Sequence, residues 1–281
     1  MSDWICVTAR FRELPPDWSP VHEVFAEHGC PATVEQDAPP QMSAYVYHSA
    51  DSDVLIRCLE RELRAYGAHE VTTEKVPEEN WEESWKQFFH IRRVGRRILI
   101  CPTWEVDRLT ATEEDVVILL DPGQAFGTGD HPTTRMCLSL LEDVMTPGVS
   151  VLDIGSGSGI LSIAAKKLGA ARVLALDTDQ AAVDASVANA ARNECEVECR
   201  RAEDTLSVSE PFDVVVSNII SAVLMRIAHD VHSVLRPGGL WIVSGIIRDN
   251  WQDVQVAAEA CGFRTSKTVE EDGWVSCLFS R

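Results

Sequence analysis

The sequence predicts an α/β protein in which a mostly parallel sheet is covered by helices on both faces, with a small α+β domain ahead of it. Three observations carry this. From Asp115 onward, short apolar runs alternate with segments of helical period. The runs VSVLDI, ARVLALD and FDVVVSN are apolar almost throughout, as strands buried on both faces must be. The first 76 residues read instead as strand, helix, strand, strand, helix, strand, a ferredoxin-like order.

The elements follow in turn. Residues 4–11 alternate like a strand, and Ser19-Pro20 opens a helix that runs to His28 and stops at Gly29. Residues 32–36 and 43–48 form two short strands parted by Pro39-Pro40. Residues 51–66 place Val54, Leu55, Cys58, Leu59 and Leu63 on one helical face, Gly67 ends the helix, and 69–75 is the last strand. The segment 77–100 connects the domains. In it Trp81, Trp85, Phe88 and Phe89 share one face of a predicted linker helix, and RRILIC is a strand ending at Pro102. The domain 101–281 carries strands at 115–120, 149–154, 172–177, 196–200, 212–217 and 239–245. Helices fill 131–145, 158–168, 179–193, 220–235 and 248–261, and a closing hairpin turns at Asp272-Gly273.

Composition narrows the function. With 281 residues, 45% hydrophobic and 25% charged, the chain has the make-up of a soluble globular protein. It has no apolar run long enough for a membrane span and no secretory leader pattern, so a cytoplasmic protein is expected. The net charge of −19 repels phosphate backbones, which argues against direct nucleic-acid binding and suits a basic protein partner. The nine cysteines are odd in number and scattered through apolar runs, as buried reduced thiols are. Cys195 and Cys199 lack a second pair at ligand spacing, so no metal site is expected.

Two glycine loops carry the chemistry. In DIGSGSG the spacing is Gly155, Gly157, Gly159, one residue short of the dinucleotide pattern, which puts Ile160 where the third glycine belongs. Asp153 beside the loop disfavours a pyrophosphate and tolerates a cationic ligand such as S-adenosylmethionine, which carries a sulfonium and an ammonium and no phosphate. Asp177 ends the next strand, where an acid accepts hydrogen bonds from both ribose hydroxyls, and Asp179 caps the following helix. A nicotinamide-binding domain is the competing reading. Asn218 closes FDVVVSN at the carboxyl edge of the sheet, where its side chain and nearby carbonyls can meet an incoming amine; capping the next helix is its alternative role. The sequence there, Asn218-Ile219-Ile220-Ser221, lacks the prolines and aromatic of enzymes acting on planar nitrogens.

The other loop, DPGQAFGTGDHPTT, leads into the helix at 131–145, whose free N–H groups suit the cofactor's carboxylate. Thr133 or Thr134 adds a hydroxyl, or Thr133 is only the N-cap, while Gly127 and Gly129 let the segment close over a ligand. His131 reads as a turn residue rather than a base. Glu203 and Asp204 are either contacts to the adenine amino group or solvated loop acids.

Taken together, DPGQAFGTGDHPTT, VLDIGSGSGILSIAAKKLGA, LALDTDQAAVDASVANAARN and DVVVSNI resemble the family that methylates ribosomal protein L-eleven. The resemblance implies a seven-stranded, Rossmann-like class I methyltransferase domain at 101–281, a ferredoxin-like substrate-recognition domain at 1–76, and S-adenosyl-L-methionine as cofactor. It implies cofactor contacts at Thr134, Gly155, Asp177 and Asn218, which join Asp153, Gly157, Phe126, Gly127 and Thr133 as the candidate cofactor residues. It further implies methylation of lysine side chains and an N-terminal α-amine on that ribosomal protein, by a monomer, with Asn218 placing the amine and no dedicated base. Asp130 departs from the family, where Thr or another small residue is common.

Overall fold

The computed structural model describes residues 3–15, 18–28, 30, 33–47, 52–77, 89–121, 127, 129–202, 208 and 210–281. The linker helix expected around Trp81, Trp85 and Phe88 lies outside these residues, as do Phe126, Glu203 and Asp204. The chain forms two compact units, Met1–Phe88 and Phe89–Arg281.

The first unit holds β1 (Asp3–Arg10), α1 (Ser19–Glu27), β2 (Thr33–Asp37), β3 (Pro40–Tyr47), α2 (Ser52–Ala65) and β4 (Glu70–Pro77). The sheet is antiparallel in the order β2-β3-β1-β4, which is the ferredoxin-like arrangement. Alternate residues Ile5, Val7 and Ala9 of β1 point inward to meet Leu59 and Leu63 of α2 and Phe25 of α1, all buried. Pro40 lies inside β3, opposite Asp37, so the hairpin turn is tighter than the Pro-Pro pair suggests.

The second unit is built on seven strands in the order β10-β9-β8-β11-β12-β14-β13. They are β8 (Ser150–Ile154), β9 (Arg172–Asp177), β10 (Glu198–Arg201), β11 (Phe212–Asn218), β12 (Leu235–Ile247), β13 (Arg264–Glu271) and β14 (Trp274–Ser280). The five strands β10, β9, β8, β11 and β12 run parallel; β14 and β13 close the sheet as an antiparallel hairpin. The helices are α3 (Pro132–Val144), α4 (Ile160–Lys167), α5 (Gln180–Arg192), α6 (Ser221–Val234) and α7 (Trp251–Ala260). Val151, Val173 and Val214 pack toward α3 and α4 on one face, while Leu152, Leu174 and Val215 pack toward α6 and α7 on the other. Both faces are therefore covered, and that is why the central strands are apolar almost throughout.

The run expected at 115–120 is not a strand of this sheet. It forms β7 (Val116–Leu119) of a separate three-stranded sheet with β5 (Arg92–Val94) and β6 (Ile98–Cys101). Its ladder is with Ile98–Cys101, and the amide of Asn193 bonds its far end. That amide donates to the Leu119 carbonyl at 2.7 Å and accepts from the Leu119 N–H at 2.8 Å, giving that stretch of backbone a side-chain partner. Residues 89–100 accordingly fall in the second unit. Glu142 of α3 ties this small sheet down, accepting the N–H groups of Arg96 and Arg97 at 2.6 and 2.8 Å. β12 is also longer than 239–245: it starts at Leu235, and Arg236 to Gly239 bulge out between the Phe212–Leu235 and Val214–Leu240 pairs.

Strand order reverses between β8 and β11. From β8 the chain winds outward through β9 and β10, then returns to build β11 and β12 on the other side. A crevice must open there beyond the carboxyl ends of the strands, because the connecting helices leave toward opposite faces.

Candidate active site

A cavity of about 550 Å³ lies at this reversal. Its wall includes Gly155 and Gly157 after β8, Asp177 and Thr178 after β9, Ala202 after β10, Asn218 and Ile219 at the end of β11, Gly245 in β12 and Trp274 at the start of β14. These residues follow the strand order, so Ala202 and Asp177 stand toward one end of the site and Trp274 at the other.

The second glycine loop is shaped by left-handed backbone. Gly155 has φ 78° and Gly157 φ 53°, conformations that side chains rarely accept. A Cβ on Gly155 would come within 2.3 Å of Ile219 Cγ2, so the turn has no room for one. The loop is held from behind by α5: Ser186 donates to the Gly157 carbonyl at 3.0 Å, and Asn189 to the Ser158 carbonyl at 2.9 Å. It is held in front by Asp177, which accepts the Gly157 N–H on Oδ2 at 2.9 Å and the Asp179 N–H on Oδ1 at 3.1 Å. Asp179 is the N-cap of α5, accepting from the Ala181 N–H at 3.0 Å.

The two glycine loops touch. Ser158 Oγ donates to the Gly127 carbonyl at 2.6 Å, and Gly127 itself has φ 102°. The first loop then delivers α3. Its N-cap is His131 rather than Thr133, with the ring Nδ1 accepting from the Thr133 N–H at 3.4 Å and lying 2.7 Å from Thr133 Oγ1. Burial, with the Arg135 charge adding to it, lowers the His131 pKa, so the ring is neutral near pH 7. Thr133 and His131 both line the cavity.

Asn218 is not a helix cap: the N-cap of α6 is Ile220. Its Nδ2 donates to Thr134 Oγ1 at 3.3 Å, and its buried Oδ1 has no partner among the described residues. A buried amide oxygen left unpaired costs free energy until a donor arrives, so Asn218 offers an acceptor at the cavity wall. Thr134 is fully buried behind Asn218 and accepts its amide N–H. Asp153 is also behind the wall. It is fully buried, accepts from Ser162 Oγ at 2.7 Å, and its pKa is pushed up to about 7 by burial.

Sequence reasoning missed the apolar side of the cavity, made by Ile154, Leu176, Ile219, Ile220, Val223 and Ile227. It also missed Trp274, whose ring meets His131 edge-on at a centroid distance of 4.9 Å. Helical spacing shows that Val223 and Ile227 share a face of α6; nothing in the sequence shows that this face borders a cavity.

The ribosomal protein L11 methyltransferase (PrmA) family profile matches residues 19–281. The chain belongs to this family. It is therefore a methyltransferase, and its cofactor is S-adenosylmethionine. The ribosomal protein L11 methyltransferase of Heliobacterium modesticaldum is 42% identical over 80% of this chain and 73% of its own length. That of Halalkalibacterium halodurans is 42% identical over 75% of this chain and 68% of its own. The crystal structure of ribosomal protein L11 methylase from Lactobacillus delbrueckii subsp. bulgaricus, 32% identical, superposes with a TM-score of 0.65 over 69% of this chain and 99% of that one. A Pyrococcus furiosus methyltransferase at 16% identity and TM-score 0.50 shares the fold.

The residues of the cavity fit the cofactor. The unpaired Asn218 oxygen, the carboxylate of Asp177 and the close-set glycine backbone are acceptors and space for a ligand rich in donors, and the wall offers apolar surface for a purine.

Proposed function

We propose that this protein transfers methyl groups from S-adenosylmethionine to amine nitrogens, lysine side chains and the N-terminal α-amine, of ribosomal protein L11. The observation that carries the reading is the convergence, in one cavity of a chain of this family, of both glycine loops, Asp177 and an unpaired Asn218 oxygen.

Bound in the cavity, the cofactor supplies an electrophilic methyl on a positively charged sulfur. Asp177, already oriented by two backbone N–H groups, keeps lone pairs for the ribose hydroxyls. Gly155 and Gly157 bring the main chain close to the methionine portion, and Thr133 adds a hydroxyl at the start of α3. Phe126, expected among the cofactor contacts, lies outside the described residues.

The acceptor amine must be neutral to attack. A free lysine has a pKa of about 10.4 and is charged at pH 7. The walls made by Ile219, Ile220, Val223 and Ile227 disfavour the ammonium form, so the proton is left to water as the amine enters. Asn218 Oδ1 then accepts one amine N–H and aims the lone pair, and placement supplies most of the acceleration. Because the amine enters neutral, no side chain is required as a base, and the His131 ring is tied to Thr133 through Nδ1.

An acidic protein of net charge −19 suits a basic, RNA-binding substrate. The test is incubation of the protein with radiolabelled S-adenosylmethionine and dissociated ribosomal proteins. Label in L11 is the expected result; label confined to RNA or to small metabolites would overturn the reading.

A further inference from the structure

Arg135 lies one turn into α3, on the same face as His131. Its side chain is only 20% exposed and reaches in two directions. One nitrogen, Nη1, donates to the main-chain carbonyl of Asp130. Nε donates to Glu271 Oε1 at 3.0 Å, Nη2 bonds the same oxygen, and Asp272 Oδ2 is 3.7 Å away. Asp130 immediately precedes His131. Glu271 and Asp272 open the hairpin turn, with Asp272 at φ 50° and Gly273 at φ 77°, that delivers Trp274. His131 and Trp274 are the two rings in edge contact at the wall of the cavity.

We propose that Arg135 is a positioning residue for methyl transfer: its guanidinium joins the first glycine loop to the C-terminal hairpin and so holds the His131–Trp274 wall beside Asn218. The inference rests on the reading of this cavity as the methyl-transfer site. The planar fork matters, because one group must bond a carbonyl on one side and a carboxylate on the other; a lysine's single ammonium cannot span both. The fold itself does not need the contact. β14 is anchored by buried Val275, Cys277 and Phe279, and α3 by buried Leu138, Leu140 and Leu141. The guanidinium adds a direct tie between the hairpin tip, where Asp272 and Gly273 are exposed, and the first glycine loop at Asp130. Arg92 adds a second hold on that loop through an ion pair with Asp130 at 3.0 Å.

The test uses the full-length enzyme with L11 as acceptor, well below the melting temperature of each variant. Arg135→Gln and Glu271→Gln act on opposite ends of one strut. Each is expected to lower kcat/KM for L11 about tenfold, the loss of one charge-assisted contact, and the double variant is expected to lose no more than either alone. Arg135→Lys, which keeps the charge but not the fork, is expected to fall between Arg135→Gln and wild type. Losses that multiply in the double variant, or kinetic constants equal to wild type with only a lower melting temperature, would overturn the proposal. Failure of the wild-type enzyme to label L11 would instead strike the functional reading on which it rests.

Discussion

The backbone N–H of Gly157 donates to Asp177 Oδ2 at 2.9 Å, joining the loop after β8 to the end of β9. The carboxylate expected to meet the ribose is thus the same group that fixes the glycine turn. The proposed ribose contact and the loop shape share one carboxylate.

Replacing Asp177 by alanine therefore removes the proposed ribose contact and loosens the loop. Titration calorimetry is expected to show cofactor affinity falling about 10- to 100-fold, in line with 1–3 kcal/mol for a charged hydrogen-bonding group. Unchanged affinity would remove Asp177 from the ribose role.

Gly155→Ala puts a methyl 2.3 Å from Ile219 Cγ2 at φ 78°. The backbone strain alone costs about 1–3 kcal/mol. A lower melting temperature and loss of cofactor binding are expected. Adding Ile219→Ala makes room without relieving the backbone, so recovery should be partial. Wild-type affinity in the single variant would contradict the geometry.

Asn218→Ala deletes the acceptor proposed for the amine while leaving the ribose end of the cavity intact. Its kcat is expected to fall about 100-fold, comparable to loss of a positioned polar group at a reacting centre. Thr134→Val, which removes only the partner of Asn218 Nδ2, should give a smaller loss. Equal activity of Asn218→Ala and wild type in steady-state kinetics would refute the role.

Asp153 gives a pH signature. Burial raises its folded pKa from 3.8 to about 7, so between those values the folded state holds a proton that the unfolded state has released. Its stabilising contribution is full below the unfolded pKa and is lost as pH rises through about 7. Asn mimics the protonated acid and has no such slope. From pH 5 to pH 8, the stability of Asp153→Asn relative to wild type should rise by on the order of 1–3 kcal/mol. Parallel denaturation curves at the two pH values would show that Asp153 does not titrate in this range.

Local chemistry wrote much of this protein into its sequence. The almost wholly apolar VSVLDI and ARVLALD announced buried parallel strands, because a strand covered on both faces has no polar side to show. Gly155, Gly157 and Asp177 were legible because a tight turn at a strand end leaves a short-range mark. Tertiary structure alone decided the rest. The run at Val116–Leu119 reads like the other strands, and only its pairing with Ile98–Cys101 in a separate sheet sets it apart. Asp153 and Thr134 look like ligand contacts in the sequence but lie behind the wall, while Trp274 reaches the cavity because β14 runs antiparallel and starts at the carboxyl edge. Hydrophobic period and turn residues act over a few neighbours and so survive in a linear string. Which side chains share a cavity depends on strand order and direction, which long-range packing sets.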